Sequence, residues 1–214
     1  MLQVSPENTE LCQDENVSSA TYQSMISIRQ LTRKLPIWLG VASLILNLVG
    51  CKFFGSSPGT YPVKRVNDGD TIVVKGEGDR NITVRLACMD APEVPHSQKE
   101  RQSRKLVDKD QYKWGFKAQA RVQQLIKQGD SRIILTVTDT DQYGRKVGEV
   151  RLPNGTLIQQ VLIQEGLAMV YRPYLKNCPS ASAIAQAEAE AKKSGRGIWG
   201  DPKFTPPWEY RRIK

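Results

Sequence analysis

The sequence predicts an α+β chain that is mainly β: a five-stranded barrel of the OB type with three helices. Two observations point there. Residues 61–66, 71–75 and 82–89 are short β-rich runs, separated by the turn sequences Asn67-Asp68-Gly69-Asp70 and Gly76-Glu77-Gly78-Asp79, which is the pattern of an antiparallel meander. Beyond the meander, strand-like and helical runs alternate without an internal repeat, and closing a few short strands into a barrel is one way to remove exposed sheet edges.

The elements follow in order. Residues 114–127 carry helical spacing, with Phe116, Ala118, Ala120, Val122 and Leu125, and stop at Gly129. Strand character returns over 132–139 and 147–152, around the turn Asp141-Gln142-Tyr143-Gly144. A short helix over 158–165 ends at Gly166, and 168–171 reads as a further strand. The last helix, 181–193, is rich in Ala and Glu, takes Ser180 as its cap and stops before Gly195. The barrel domain spans 61–200, and 201–214 is an extension whose aromatic residues pack on the barrel.

Composition narrows the chemistry. The 214 residues hold 31 Lys and Arg against 22 Asp and Glu, a net +9 that favours a polyanionic partner. His96 is the only histidine and reads as a solvent-facing loop residue. With no C-x-x-C pair, a zinc site and a Ser-His-Asp triad are both unsupported. No Gly-rich phosphate loop is present.

The N-terminus has its own logic. Residues 1–24 are polar and without periodicity, whereas from Met25 a short basic segment precedes 17 uncharged residues, 35–51. That is the layout of an export signal, and the run is too short for a comfortable membrane span of about 20 residues. Residues 1–24 therefore read as a non-native or untranslated extension, and 25–51 as the signal. Its end, Leu48-Val49-Gly50-Cys51, resembles a bacterial lipobox, which implies that Cys51 is lipidated and anchors the exported protein on the extracytoplasmic side. An uncleaved signal anchor is the other reading. Removing residues 1–50 deletes four acids and three bases and raises the charge from +9 to +10, so the basic balance belongs to the folded domain. Residues 52–60 read as a flexible tether. In an oxidising compartment Cys88 and Cys178 are left either as a disulfide or as two buried thiols.

Alternation along 82–89 places Arg85, Ala87 and Met89 on one face and Val84, Leu86 and Cys88 on the other. Asp90-Ala91-Pro92-Glu93 then breaks the strand. It reads as a turn presenting carboxylates, not as core, and with Asp70 it offers hard oxygen donors suited to a cation such as Ca²⁺.

These residues fall into an ordered set: Asn67-Asp68-Gly69-Asp70-Thr71, Val84-Arg85-Leu86 with Asp90-Ala91-Pro92-Glu93, Asp141-Gln142-Tyr143-Gly144-Arg145, and Gln164-Glu165-Gly166-Leu167-Ala168. The set resembles the signature of the staphylococcal nuclease family and covers most of 61–199. The resemblance implies an OB-type barrel and Ca²⁺-dependent endonuclease hydrolysis of DNA and RNA with little sequence specificity by a monomer. It assigns Asp70, Asp90 and the Ala91 carbonyl to the metal, Glu93 to the general base, and Arg85 and Arg145 to the substrate phosphate. Tyr143 and Tyr171 match positions that pack against the nucleotide, with packing at the barrel rim as the other reading. Two departures stand out: 94–112 is longer than the family's loop, and Tyr171-Arg172-Pro173-Tyr174 is shifted against its tyrosine pair. A barrel that only binds nucleic acid or protein is the competing function. It has no physical need for Glu93, which repels phosphate.

Overall fold

The computed structural model describes residues 59–214. Residues 1–58 lie outside it, and with them the expected N-terminal extension, the signal segment, Cys51 and nearly all of the tether.

Five strands close into a barrel: β1 (Thr60–Val66), β2 (Thr71–Lys75), β3 (Asn81–Leu86), then β6 (Lys146–Arg151) and β5 (Arg132–Thr140) in that spatial order. β1, β2 and β3 pair antiparallel as the meander requires, with Thr71 opposite Arg85, and β3 meets β6 in parallel through Leu86 and Gly148. Barrel interior and helix faces merge into one core that includes Ile72, Val74, Val84, Leu86, Ile133 and Val150. Apolar side chains of this size each stabilise the fold by about 1.5–3 kcal/mol on full burial.

Several expectations need correction. The run 82–89 is not one strand: β3 ends at Leu86, and Cys88 takes a left-handed backbone with φ 63°. Alternation therefore fails beyond Leu86, and Ala87 and Met89 are buried and do not share Arg85's half-buried setting. Met89–Asp90 forms a separate two-residue strand, β4, which pairs with β7 (Met169–Val170) outside the barrel. The strand expected at 168–171 thus holds the Asp90 segment in place without closing the barrel.

The three expected helices are present as α2 (Leu106–Gln128), α3 (Ile158–Gln164) and α4 (Ala181–Lys193), joined by a single turn, α1 (Gln98–Arg101), and a C-terminal helix, α5 (Pro207–Ile213). α2 begins eight residues before the apolar periodicity does. Its first two turns bury polar groups, Asp108 and Gln111, that periodicity cannot detect. Their partners come from the chain's far end: the Tyr210 hydroxyl donates to Asp108 at 2.9 Å, and the Gln111 amide donates to the Thr205 carbonyl. The extension 201–214 therefore packs mainly on α2, with Trp208 and Phe204 against a small cluster of Trp114, Met169 and Ile198. Ser180 stands at the α4 cap position, but its hydroxyl serves the buried Glu149 carboxylate instead of the helix. Cys88 and Cys178 are joined as a disulfide, their Cα atoms 6.3 Å apart. It closes 90 residues, worth about 4–5 kcal/mol on the chain-entropy model.

Candidate active site

The turn between β1 and β2 carries the first carboxylate. Asp68 Oδ1 accepts from the Asp70 amide at 2.9 Å, a local bond that fixes the turn. A side chain at Gly69 would meet Ala118 Cβ at 2.6 Å and Ala91 Cβ at 2.7 Å, so glycine lets the turn dock between α2 and the Ala91 segment. Gly115 does the same one turn earlier on α2: a Cβ there would lie 2.0 Å from the Glu93 carbonyl. Small residues on one helix face thus set how closely both acidic segments approach each other.

The approach ends on one guanidinium. Arg85, projecting from β3, donates Nη1 to Asp70 Oδ1 at 2.5 Å and Nη2 to Asp90 Oδ1 at 2.6 Å. Asp70 Oδ1 also accepts from the Thr71 hydroxyl, and its Oδ2 accepts from the Ala91 amide at 2.9 Å. Asp70, Asp90 and Ala91 are all at most 3% exposed, which overturns the expectation of a solvent-presented turn. The reason is nonlocal: α2 covers the Gly69 turn, and β7 covers Asp90.

Burial has an electrostatic consequence. It pushes the Asp70 carboxyl up to about 6 against the pull of Arg85, and it also raises Asp90 against the bonds from Arg211 and the charge of Arg85. Arg85 and Arg211 thus offset the cost of burying the pair only in part. Among the described residues no cluster of three or more His, Cys, Asp or Glu side chains is arranged to hold a metal. The donor set nevertheless fits a hard cation. Asp70 Oδ2 and Asp90 Oδ2 each hold only one protein hydrogen bond, and Ca²⁺ completes six to eight oxygen ligands with backbone carbonyls and water.

Arg85, Asp90, Glu93, Tyr143, Arg145 and Tyr171 line one open cleft of about 1280 Å³. Asp70 and Ala91 sit behind its lining and reach it through Arg85 and Asp90. Glu93 is half-buried, its amide held by Gln111 at 3.3 Å. Arg145 donates Nε to Asp141 Oδ2 at 2.7 Å, and Asp141 Oδ1 accepts from the Tyr143 and Arg145 amides, so this turn is rigidly built around one carboxylate. Its two Nη groups make no hydrogen bond among the described residues, and the guanidinium lies 5.5 Å from the exposed Tyr143 ring. Tyr171 stacks on Tyr174 at 5.6 Å and leans on Trp208 at 6.0 Å, which makes an aromatic wall with contributions from two chain segments.

Two residues were missed. Arg211, from α5, donates to Asp90 Oδ2 at 2.6 Å and to Glu93 Oε1 at 2.8 Å. His96 is exposed as expected, yet its Nε2 stands 4.0 Å from Glu93 Oε2 and it lines the cleft. For Arg211 the only available signal was the basic pair Arg211-Arg212 beside aromatic residues in the extension.

Comparison with known proteins places this geometry in a family. Residues 83–201 match the family described as Staphylococcal nuclease homologue; the match begins in β3, so Asp70 lies outside it. The chain is 34% identical over 158 residues to a protein named micrococcal nuclease from Shigella flexneri, covering 70% of this chain and 79% of that one. It is 32% identical over 152 residues to an uncharacterized endonuclease of Escherichia coli O157:H7, covering 71% of this chain and 84% of the relative. It is also 32% identical to endonuclease YhcR of Bacillus subtilis, with 73% of this chain matching 13% of that longer protein. A barrel of the expected order, a match across more than half of the residues and relatives covered over most of their length agree: the chain belongs to the family of staphylococcal nuclease homologues.

Proposed function

We propose that this protein is an exported, lipid-anchored, monomeric endonuclease that uses Ca²⁺ to hydrolyse phosphodiester bonds of DNA and RNA with little sequence specificity. One observation carries the reading: a single open cleft gathers two guanidinium groups and a half-buried carboxylate beside a buried pair of aspartates whose burial cost is only partly offset. A domain that only binds nucleic acid gains nothing from Glu93 and Asp90 facing a phosphate.

Each residue has a task. Asp70, Asp90 and the Ala91 carbonyl would hold the cation, which when bound would supply positive charge beside the phosphate and make a neighbouring water easier to deprotonate. Glu93 accepts the proton of the attacking water. Arg145 receives the phosphate on its unpaired Nη groups, and Arg85, whose Nη groups each carry a second N–H beyond the one given to an aspartate, donates to the same oxygens from the cleft wall. Planar two-pronged donors suit this better than lysine. Tyr143 and the Tyr171–Tyr174 pair flank the cleft as faces on which unpaired bases stack, which favours single-stranded or frayed substrate.

Export rests on the 25–51 segment and is supported by the Cys88–Cys178 bond, since disulfides persist in oxidising compartments. Among the described residues no helix is long and apolar enough to cross a membrane. The lipobox-like Leu48-Val49-Gly50-Cys51 is what assigns membrane attachment to Cys51 in this reading. Cys51→Ser is expected to abolish incorporation of labelled fatty acid during expression, and label retained by the variant would refute the anchor.

For the chemistry, single-stranded DNA and RNA incubated with the full chain should be cleaved with Ca²⁺ and spared with chelator. Glu93→Gln and Arg145→Ala should each lower kcat by roughly 10²–10³-fold with an unchanged melting temperature, since both act on the transition state. Turnover within a few-fold of the parent, or cleavage in chelator, would refute the mechanism.

The buried aspartate adds a pH dependence. With its pKa near 6 in the fold against 3.8 in the unfolded chain, Asp70 keeps a proton that the unfolded state has released. Its contribution is full below about pH 4 and is lost as pH rises through 6, about 3 kcal/mol in all. Denaturant unfolding at pH 4 and pH 7 in chelator should show this loss in the parent and a correspondingly smaller one in Asp70→Asn. Equal losses in the two proteins would mean that Asp70 does not titrate there. Glu100 and Asp201, both held low by lysine partners, carry the opposite sign but are common to both proteins and cancel.

A further inference from the structure

The C-terminal helix reaches into the acidic site through one residue. Arg211 bonds both oxygens of Asp90, at 3.2 and 2.6 Å, and one oxygen of Glu93, at 2.8 Å. Arg85 bonds Asp90 Oδ1 as well, so each oxygen of this carboxylate already faces a guanidinium. A cation that takes Asp90 as ligand must therefore share or displace an arginine.

The two arginines are not equally able to leave. Arg85 projects from the end of β3, is fixed at both prongs by Asp70 and Asp90, and its side chain is 23% exposed. The Arg211 side chain is 41% exposed. Its neighbour Tyr210 is fully buried and bonded to Asp108 and Tyr112, and Lys214 pairs with Glu100, so the helix stays docked without help from Arg211. The side chain can swing to solvent without undocking α5.

We propose that Arg211 is an internal counter-cation of the metal seat: it holds Asp90 and Glu93 together in the metal-free protein and gives them up when a divalent cation binds. This rests on the cation-dependent reading given above. A charged group that occupies a ligand in one state only is coupled to the ion by mutual exclusion, and the coupling is reciprocal. The extension is then more than a packing element. It sets the Ca²⁺ concentration at which the site becomes competent and keeps the buried carboxylates paired until then.

Calorimetric titration of the full chain with Ca²⁺ alone, without substrate, tests this. Arg211→Gln should bind Ca²⁺ at least about fivefold more tightly than the parent, while Arg212→Gln, which alters the exposed neighbour, binds as the parent does. Unchanged or weaker binding by Arg211→Gln overturns the latch while leaving the metal reading intact. If none of the three proteins binds Ca²⁺, both fall. The unaltered protein provides a second measurement that does not depend on a variant folding. Exchange of the Arg211 guanidinium protons, followed by NMR, should accelerate on saturation with Ca²⁺, and an unchanged rate would overturn the proposal.

Discussion

Two buried carboxylates share one guanidinium, and most of the architecture around the cleft serves that arrangement. Asp70 comes from the turn before β2, Arg85 from the end of β3 and Asp90 from β4; the β2–β3 ladder sets Thr71 opposite Arg85 and brings these segments together, and the ion pairs fix their side chains. Removing two carboxylates from water costs several kcal/mol each, and only pairing with full hydrogen bonding offsets it. Arg85, Thr71 and the Ala91 amide supply that for Asp70; Arg85 and Arg211 supply it for Asp90. The offset is incomplete, as the raised pKa of both acids shows. An incompletely neutralised pair of oxygen donors is what a site needs if it is to take up a cation and not merely be stable.

Helix α2 connects this electrostatic centre to the periphery. Gly115 and Ala118 on one face admit the Glu93 and Gly69 backbones, and Gln111 on the same helix holds the Glu93 amide. Asp108 and Tyr112, in the first two turns of the same helix, receive Tyr210 from the extension. A rigid helix therefore fixes both the acidic segments and the element that delivers Arg211, and shifts in the docking of α5 are felt at Asp90.

Much of this was legible in the sequence because it is local. Turn residues placed Asp70, β periodicity found the barrel strands to within two residues apart from the run past Leu86, and the ordered motifs assembled Arg85, Glu93 and Arg145, which the structure brings into one cleft. What was not legible depends on partners remote in sequence. The start of α2 was hidden because its buried face is polar and is satisfied from residues 205 and 210. The burial of Asp90 was hidden because β7, some 80 residues later, covers it. Arg211 lies 121 residues from Asp90, and an arginine in a basic tail resembles any solvated charge until the fold closes.

The central claim, that Arg85 is the shared counter-charge on which the site is built, is tested most directly by a double-mutant cycle on stability. Asp70→Asn would be made in the parent and in an Arg85→Gln background, and unfolding followed by denaturant in chelator at pH 7. With Arg85 gone, burial acts on Asp70 without the guanidinium that opposes it and pushes its carboxyl further up, so the acid gains nothing from its charge and Asn should cost less there, or even stabilise, with a coupling of about 1–3 kcal/mol between the two sites. Effects that add to within about 0.3 kcal/mol would contradict the account, because they would mean that Asp70 and Arg85 do not depend on each other.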